Sequence, residues 1–172
     1  MTNVTNTNFR IMRIILAMAI ALPMMLMSCS DDSEDSGKQT FFVNVYSKPN
    51  SIYGEKELVN YAFVYIYENE NKEIDGLASS ESVVEDGVLT YVDGNKSSRP
   101  KYATSFQPGV FNLENITNGD YILWVTYMTD FKSSFYSSFK NIIVNYDYRL
   151  TTEEKTFMTS IDDKGIYRYQ EW

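Results

Sequence analysis

Histidine is absent from this 172-residue chain, and cysteine occurs only once. Without histidine, neither a Ser-His-Asp nor a Cys-His nucleophile system can be assembled. The usual zinc sites are excluded as well, because their ligands are histidine and cysteine. A single thiol also provides no disulfide within the chain. These absences close the commonest routes to hydrolytic and zinc-dependent catalysis.

Paired carboxylates are the remaining route, since two Asp or Glu side chains can hydrolyse glycosides. Glu68 and Glu70 share a face in an extended chain, but they lie in an exposed, turn-like charged segment. Adjacent carboxylates point to opposite faces of a strand; such pairs are Glu153-Glu154 and Asp162-Asp163. No acidic spacing resembles an EF-hand loop, so calcium is a minority possibility. We expect no catalytic residue and no metal site.

Acidic residues outnumber basic ones by 23 to 15, which gives a formal net charge of −8. Recognition of nucleic acid requires a basic stripe or patch that neutralises phosphates. We therefore expect no nucleic acid partner.

A long apolar run lies near the N-terminus. Arg10 and Arg13 precede residues 14–27 (IILAMAIALPMMLM), a run shorter than the roughly 18 residues that read as a membrane-spanning helix. It ends in the sequence LMSC, with a small residue directly before Cys29. This pattern resembles the lipobox of bacterial lipoproteins. The resemblance implies that Cys29 is acylated and becomes the first residue of the mature protein.

The lipoprotein resemblance divides the chain into a signal peptide, residues 1–28, and a tethered remainder. The only prosthetic group it implies is the covalent lipid on Cys29. Because two or more acyl chains give stable anchoring, the membrane is the first expected partner. Met12 would begin a more compact signal peptide than Met1, so two translation starts stay open.

Residues 29–39 form an acidic tether after the acylated cysteine. The residues that carry its pattern are Ser30, Asp31, Asp32, Glu34 and Asp35. They are similar to the export signal of surface lipoproteins in Bacteroidota, which implies an outer-membrane protein that faces the cell exterior. The alternative is a solvated spacer without a sorting role.

Residues 40–160 are a succession of short runs rich in Val, Ile, Phe and Tyr, separated by turn signals. Asp93-Gly94 is a hairpin signal for a type I′ turn, in which both residues need positive φ. The spacing and the lack of helical periodicity predict an all-β fold, a β-sandwich of seven or eight strands. Residues 161–172 form either a tail or an edge strand. The predicted strands are residues 40–46, 59–67, 88–92, 101–106, 110–116, 121–128, 135–146 and 152–158.

Residues 109–125 (GVFNLENITNGDYILWV) carry a second resemblance. They are similar to the pattern G-x-F-x-L-x-x-I-x-x-G-x-Y-x-L-x-V of carboxypeptidase regulatory-like and transthyretin-like (prealbumin-like) domains, although Asn118 stands where that family often has proline. The resemblance implies a single antiparallel Greek-key β-sandwich without catalytic residues. Two antiparallel strands would point their apolar side chains inward, with the turn at Gly119; these side chains are Phe111, Leu113, Tyr121, Leu123 and Val125.

The predicted strands at residues 59–67 and 121–128 are apolar on both faces. Such a strand is either covered on both sides or presents an aromatic strip to solvent. Trp124, Tyr65 and Tyr67 are the candidates for an exposed binding strip, because aromatic rings offer broad amphipathic surfaces.

The predicted function is that of a non-enzymatic, lipid-anchored module at the cell surface that binds a glycan or an envelope protein. The alternative is a structural, fimbria-like or scaffold subunit that assembles by pairing of edge strands.

Overall fold

The computed structural model describes residues 39–51, 53–129, 134–145, 150–160 and 166–172. Within these ranges the chain forms nine strands and one helix. The predicted signal peptide, Cys29 and the acidic residues that follow it lie outside the described residues. In chain order the elements are β1 (Gln39–Pro49), β2 (Glu57–Leu58), β3 (Ala62–Glu68), α1 (Gly76–Asp86), β4 (Tyr102–Ala103), β5 (Val110–Ile116), β6 (Gly119–Met128), β7 (Phe135–Val144), β8 (Leu150–Thr159) and β9 (Tyr167–Tyr169).

The strands form two sheets, and the prediction of an all-β sandwich is confirmed. In the first sheet β1 is central: β8 pairs with it in parallel on one edge, and β5 and β2 pair antiparallel on the other. The second sheet has the order β4-β3-β6-β7-β9. The expectation of purely antiparallel sheets is wrong, because β1–β8 and β7–β9 are parallel pairs.

The main core lies between the two sheets and follows from alternation along the strands. In β1 every second residue is buried, including Phe41, Val43 and Val45. Phe157 of β8 completes the layer from the first sheet. The predicted inward residues of β5 and β6 are all buried in this core, as expected: Phe111, Leu113, Tyr121, Leu123 and Val125.

The segment between β5 and β6 is a corner that joins the two sheets. The predicted antiparallel pairing of these strands is wrong, because β5 pairs with β1 and β6 pairs with β3 and β7. The hydroxyl of Tyr121 donates to the carbonyl oxygen of Thr117 at 3.0 Å, as in the tyrosine corner of other β-sandwiches. Gly119 is the first residue of β6 rather than a hairpin turn.

The helix α1 was not expected from the sequence. Asp75 caps its N-terminus by accepting a hydrogen bond from the backbone N–H of Ala78 at 2.9 Å, and Gly87 ends it in the left-handed conformation with φ 72°. Val83 of the helix packs against the outer face of the second sheet in a second apolar cluster that includes Trp124. One outer face of the sandwich is therefore covered by a helix.

The segment after the helix is a small hairpin rather than the predicted strand at residues 88–92. Only isolated bridges form there, and the N–H of Tyr91 donates to the carbonyl of Asn95 at 2.8 Å. The expected turn is present, but its type differs, because Gly94 has positive φ (82°) and Asp93 does not. This pattern is a type I turn followed by a glycine bulge.

Candidate binding face

The three aromatic residues proposed for an exposed strip lie on the face of the second sheet that α1 covers. Trp124 is fully buried, stacks on Phe139 with ring centroids 5.9 Å apart, and donates its indole N–H to Thr126 Oγ1 at 2.9 Å. Tyr67 is buried and donates its hydroxyl to the carbonyl of Gly87 at 3.2 Å. Burial and the neighbouring Tyr65 raise the pKa of Tyr67.

Tyr65 is half-buried, and its ring packs between those of Phe63 and Tyr67. The expectation of an exposed strip is therefore wrong for Trp124 and Tyr67. The physical reason is that α1 and the hairpin after it supply a second apolar layer on this side.

The opposite outer face, on the first sheet, has no helix over it among the described residues. We call it the open face and define it by the outward side chains of β1 and its neighbours: Phe42, Asn44, Tyr46, Asn112, Thr152 and Glu154. Phe42 lies in register between Asn112 of β5 and Thr152 of β8. The side chains of β1 on this face are half-buried by their neighbours, while Asn112, Thr152 and Glu154 are exposed. The open face thus carries two half-buried aromatic rings among polar groups, with the exposed apolar side chains of Val110, Leu58 and Met158 on the neighbouring strands.

An ion pair crosses one end of the open face. The ammonium of Lys56 lies 3.8 Å from the centroid of the Tyr46 ring and pairs with the carboxylate of Glu154. The amide of Asn112 donates to the carboxylate of Glu114 at 2.9 Å. Exposed pairs of this kind add little to stability. Their effect is to hold hydrogen-bonding groups in place beside the rings.

The adjacent carboxylates Glu153 and Glu154 point in opposite directions, as the strand geometry predicts. Glu153 pairs with Lys140 of β7 at 2.8 Å, whereas Glu154 pairs with Lys56 on the open face. Among the described residues, no group of three acidic, histidine or cysteine side chains is placed to hold a metal ion. In the same part of the chain, no helix has the length and apolar character needed to cross a membrane.

A shallow depression beside the small hairpin is lined by Lys72, Glu73, Tyr91, Val92 and Asp93. Lys72 pairs with Glu70 at 2.8 Å and lies 4.9 Å from the centroid of the Tyr91 ring. Burial and the negative charge of Glu70 raise the pKa of Tyr91 to about 12. The charge of Lys72 is already paired with Glu70, and we assign no ligand to this depression.

The side of the sandwich where β7 and β8 lie is closed by residues 167–172, which we call the closing segment. Within it, β9 pairs with β7. The side-chain amide of Gln170 then accepts from the N–H of Met158 at 3.0 Å and donates to its carbonyl at 2.6 Å, as a neighbouring strand would. The ring of Trp172 packs on the main core.

Lys155 lies beneath the closing segment and is only 5% exposed. Its ammonium donates to the backbone carbonyl of Glu171. It lies 5.3 Å from the ring centroid of Phe157 and 5.8 Å from that of Trp172. Burial lowers the pKa of Lys155 to about 8.

Phe42 and Tyr46 are the aromatic residues on the open face that the sequence analysis did not single out. The signal was available in the run TFFVNVY, because Phe42 and Tyr46 flank a polar Asn44 at the same parity. A polar residue between two aromatic ones marks the outward face of a strand, whereas Phe41, Val43 and Val45 mark the inward face.

No family model matches the chain, and no curated protein matches it significantly in sequence. A solved structure similar to it is that of GBS52, the minor pilin of the Gram-positive pathogen Streptococcus agalactiae. The identity is 10%, the TM-score is 0.36, and the match covers 75% of this chain. The chain spans about half the length of that pilin, 47%.

Proposed function

We propose that this protein is a non-enzymatic binding module, anchored by lipid on Cys29 in the outer membrane and displayed at the cell surface, whose open face binds its partner. The observation that carries the binding role is the difference between the two outer faces of the sandwich. One face is covered by α1, and the other keeps Phe42 and Tyr46 half-buried among polar and exposed apolar side chains. Interfaces are enriched in aromatic residues of this kind.

The support for a lipid anchor comes from the sequence before the β-sandwich. The apolar run, the small residue at position 28 and the only thiol of the chain coincide at Cys29. Ser30, Asp31, Asp32, Glu34 and Asp35 supply the export signal in this proposal.

The anchor is tested by metabolic labelling with an alkyne analogue of palmitate in a Bacteroidota host. We expect the wild-type protein to carry the label and Cys29→Ala to lose it. A variant with alanine at Asp31, Asp32, Glu34 and Asp35 should keep the label but become resistant to protease added to intact cells. Labelling of Cys29→Ala would refute the anchor, and protease sensitivity of the acidic-residue variant would refute the export signal.

The binding role is tested by recovering partners from an envelope extract with the full chain in detergent. Envelope material recovered by the wild type and lost in the double variant Phe42→Ala, Tyr46→Ala supports the open face. Recovery that is equal with both proteins contradicts it.

A second candidate function is that of a structural subunit, and it is favoured by the outer edge of β7. Residues 139–144 of this strand pair with β6 on one side, and no described strand pairs with their other edge. Ile143 in the same stretch is 74% exposed on the outer face of the sheet. An open edge is a template for strand addition. A ladder of heat-labile oligomers from native membranes that Asn141→Pro removes would support this function, and a strictly monomeric protein would oppose it.

A further inference from the structure

We infer that the open face binds a neutral polysaccharide chain, laid along β1 over the rings of Phe42 and Tyr46. This inference rests on the proposed function, because it names the ligand class of the same face.

The two rings are spaced for an extended ligand. Phe42 and Tyr46 are four residues apart on one strand and point to the same side, so their attachment points are separated by about 13 Å. Asn44 lies between them on that side and offers both a donor and an acceptor. A sugar polymer presents the same alternation, with apolar C–H faces that stack on rings and hydroxyl groups that need hydrogen-bond partners.

The charge of the face selects against ionic polymers. Among the described residues, the outward side chains of its strands and the adjoining Lys56 contribute two cations, Lys48 and Lys56, and two anions, Glu114 and Glu154. The face is therefore neutral, although the whole chain carries a formal charge of −8. The negative charge of the whole chain would repel an anionic polysaccharide, whereas the face itself carries no excess of negative groups to pair with a cationic one. The balance favours a neutral chain.

The flatness of the face favours a polymer over a small molecule. Small ligands are held in concave sites that bury most of their surface. The outward side chains of β5, and those of Thr152, Glu154 and Met158 in β8, are instead exposed rather than packed into a wall around the rings. A ligand on such a surface gains area only by extending along it, which a polysaccharide does.

The Lys56–Glu154 pair makes the Tyr46 ring less accessible to a sugar than the Phe42 ring. Because the ammonium of Lys56 already lies 3.8 Å from the Tyr46 ring centroid, a sugar that stacks there has to displace it. Phe42 carries no such cation in the described contacts. Phe42 is therefore the principal platform, and Lys56 and Glu154 bind the sugar hydroxyls as donor and acceptor.

The test uses the full chain in detergent, with mannan, xylan and a β-glucan as neutral probes and polygalacturonate as the anionic counterpart. Calorimetry or affinity electrophoresis should detect binding to at least one neutral polymer and none to polygalacturonate. We expect Phe42→Ala to weaken binding at least tenfold and Tyr46→Ala to weaken it less. Phe42→Leu, which keeps an apolar side chain without a ring, should behave like Phe42→Ala.

The matched control is Tyr61→Ala, since Tyr61 is 47% exposed and lies outside the open face; it should bind as the wild type does. Circular dichroism establishes that each variant is folded. Absence of binding to every neutral polymer, stronger binding to polygalacturonate, or wild-type affinity in Phe42→Leu would overturn the inference. So would a dimer in the wild type that Phe42→Ala dissociates, because a second copy would then cover the face. None of these outcomes alters the labelling and protease tests of the proposed function.

Discussion

Replacing Lys155 with methionine should remove a pH dependence of stability that burial of this amine creates. In the folded protein the ammonium is enclosed by the carbonyl of Glu171 and the rings of Phe157 and Trp172. No carboxylate among the described residues pairs with it, and taking an unpaired charge out of water disfavours the charged form. The pKa of Lys155 accordingly falls from 10.5 to about 8.

The size of the effect follows from that difference. A fall of about 2.5 in the pKa means that burial disfavours the charged amine in the folded protein by about 3 kcal/mol, because each pKa unit corresponds to 1.36 kcal/mol. Below pH 8 both the folded and the unfolded chain hold the proton, so the folded state bears the full burial cost. Between pH 8 and 10.5 the folded protein has released the proton while the unfolded chain still holds it. Stability therefore rises with pH across this window.

Urea unfolding of the wild type and Lys155→Met at pH 7, 8, 9 and 10 measures the effect. The free energy of unfolding of the wild type, relative to the variant, should rise by about 2 to 3 kcal/mol from pH 7 to pH 10. Other titrating groups, such as Tyr91, are common to both proteins and cancel in the difference. Lys140→Met controls for the loss of a nearby lysine charge; because it also breaks the pair with Glu153, it should change the free energy of unfolding by a similar amount at every pH. A difference that stays constant with pH would refute the reasoning.

Three further substitutions test how the fold is held, each followed by thermal or urea unfolding. Trp124→Ala removes a fully buried ring and should lower the free energy of unfolding by about 3 to 5 kcal/mol; a change below about 1 kcal/mol would mean that the ring is not packed as described. Tyr121→Phe removes the hydroxyl that donates to Thr117 and should cost about 1 kcal/mol, and an unchanged midpoint would show that the corner holds without it. Asp75→Ala removes the N-terminal cap of α1 and should also cost about 1 kcal/mol; the same loss in Asp75→Asn would contradict the capping role, because asparagine caps as well.

The inward pattern of β5 and β6 could be predicted from alternation alone, because burial and period-two spacing agree there. What the same residues could not reveal was the partner of each strand. A short connection such as residues 117–118 fits a hairpin and a corner between sheets equally well. The corner depends on β5 reaching β1, which lies more than 60 residues earlier in the chain.

Gly109 shows a second limit of pattern reasoning. A side chain at this position would overlap the backbone carbonyl oxygen of Val45, and the side chain of Val59 is also close. Gly109 is the first residue of the transthyretin-like pattern, but the pattern does not give the reason for a glycine there. The reason is the close approach of two chain segments that only the fold brings together.

The helix α1 could have been anticipated from its ends. Asp75 before the segment and Gly87 after it are standard start and stop signals. Its sequence, GLASSESVVED, has little apolar periodicity because three of its four buried residues are serines. These serines are hydrogen-bonded instead: Ser79 and Ser82 bond with Thr90, and Ser80 donates to the carbonyl of Gly76. Because its buried side is polar, the helix that covers Trp124 could not be recognised from hydrophobic periodicity.

The central position of β1 has a mechanical consequence. A load applied through the residues before Gln39 enters the fold at the start of this strand. β1 is paired with β8 over ten residues on one edge and with β5 and β2 on the other. Pulling along the strand shears many hydrogen bonds at once, whereas an edge strand would peel away one bond after another. In the proposed function, the strand that carries Phe42 and Tyr46 would thus also be the one that takes up a pull between the lipid tether and the ligand.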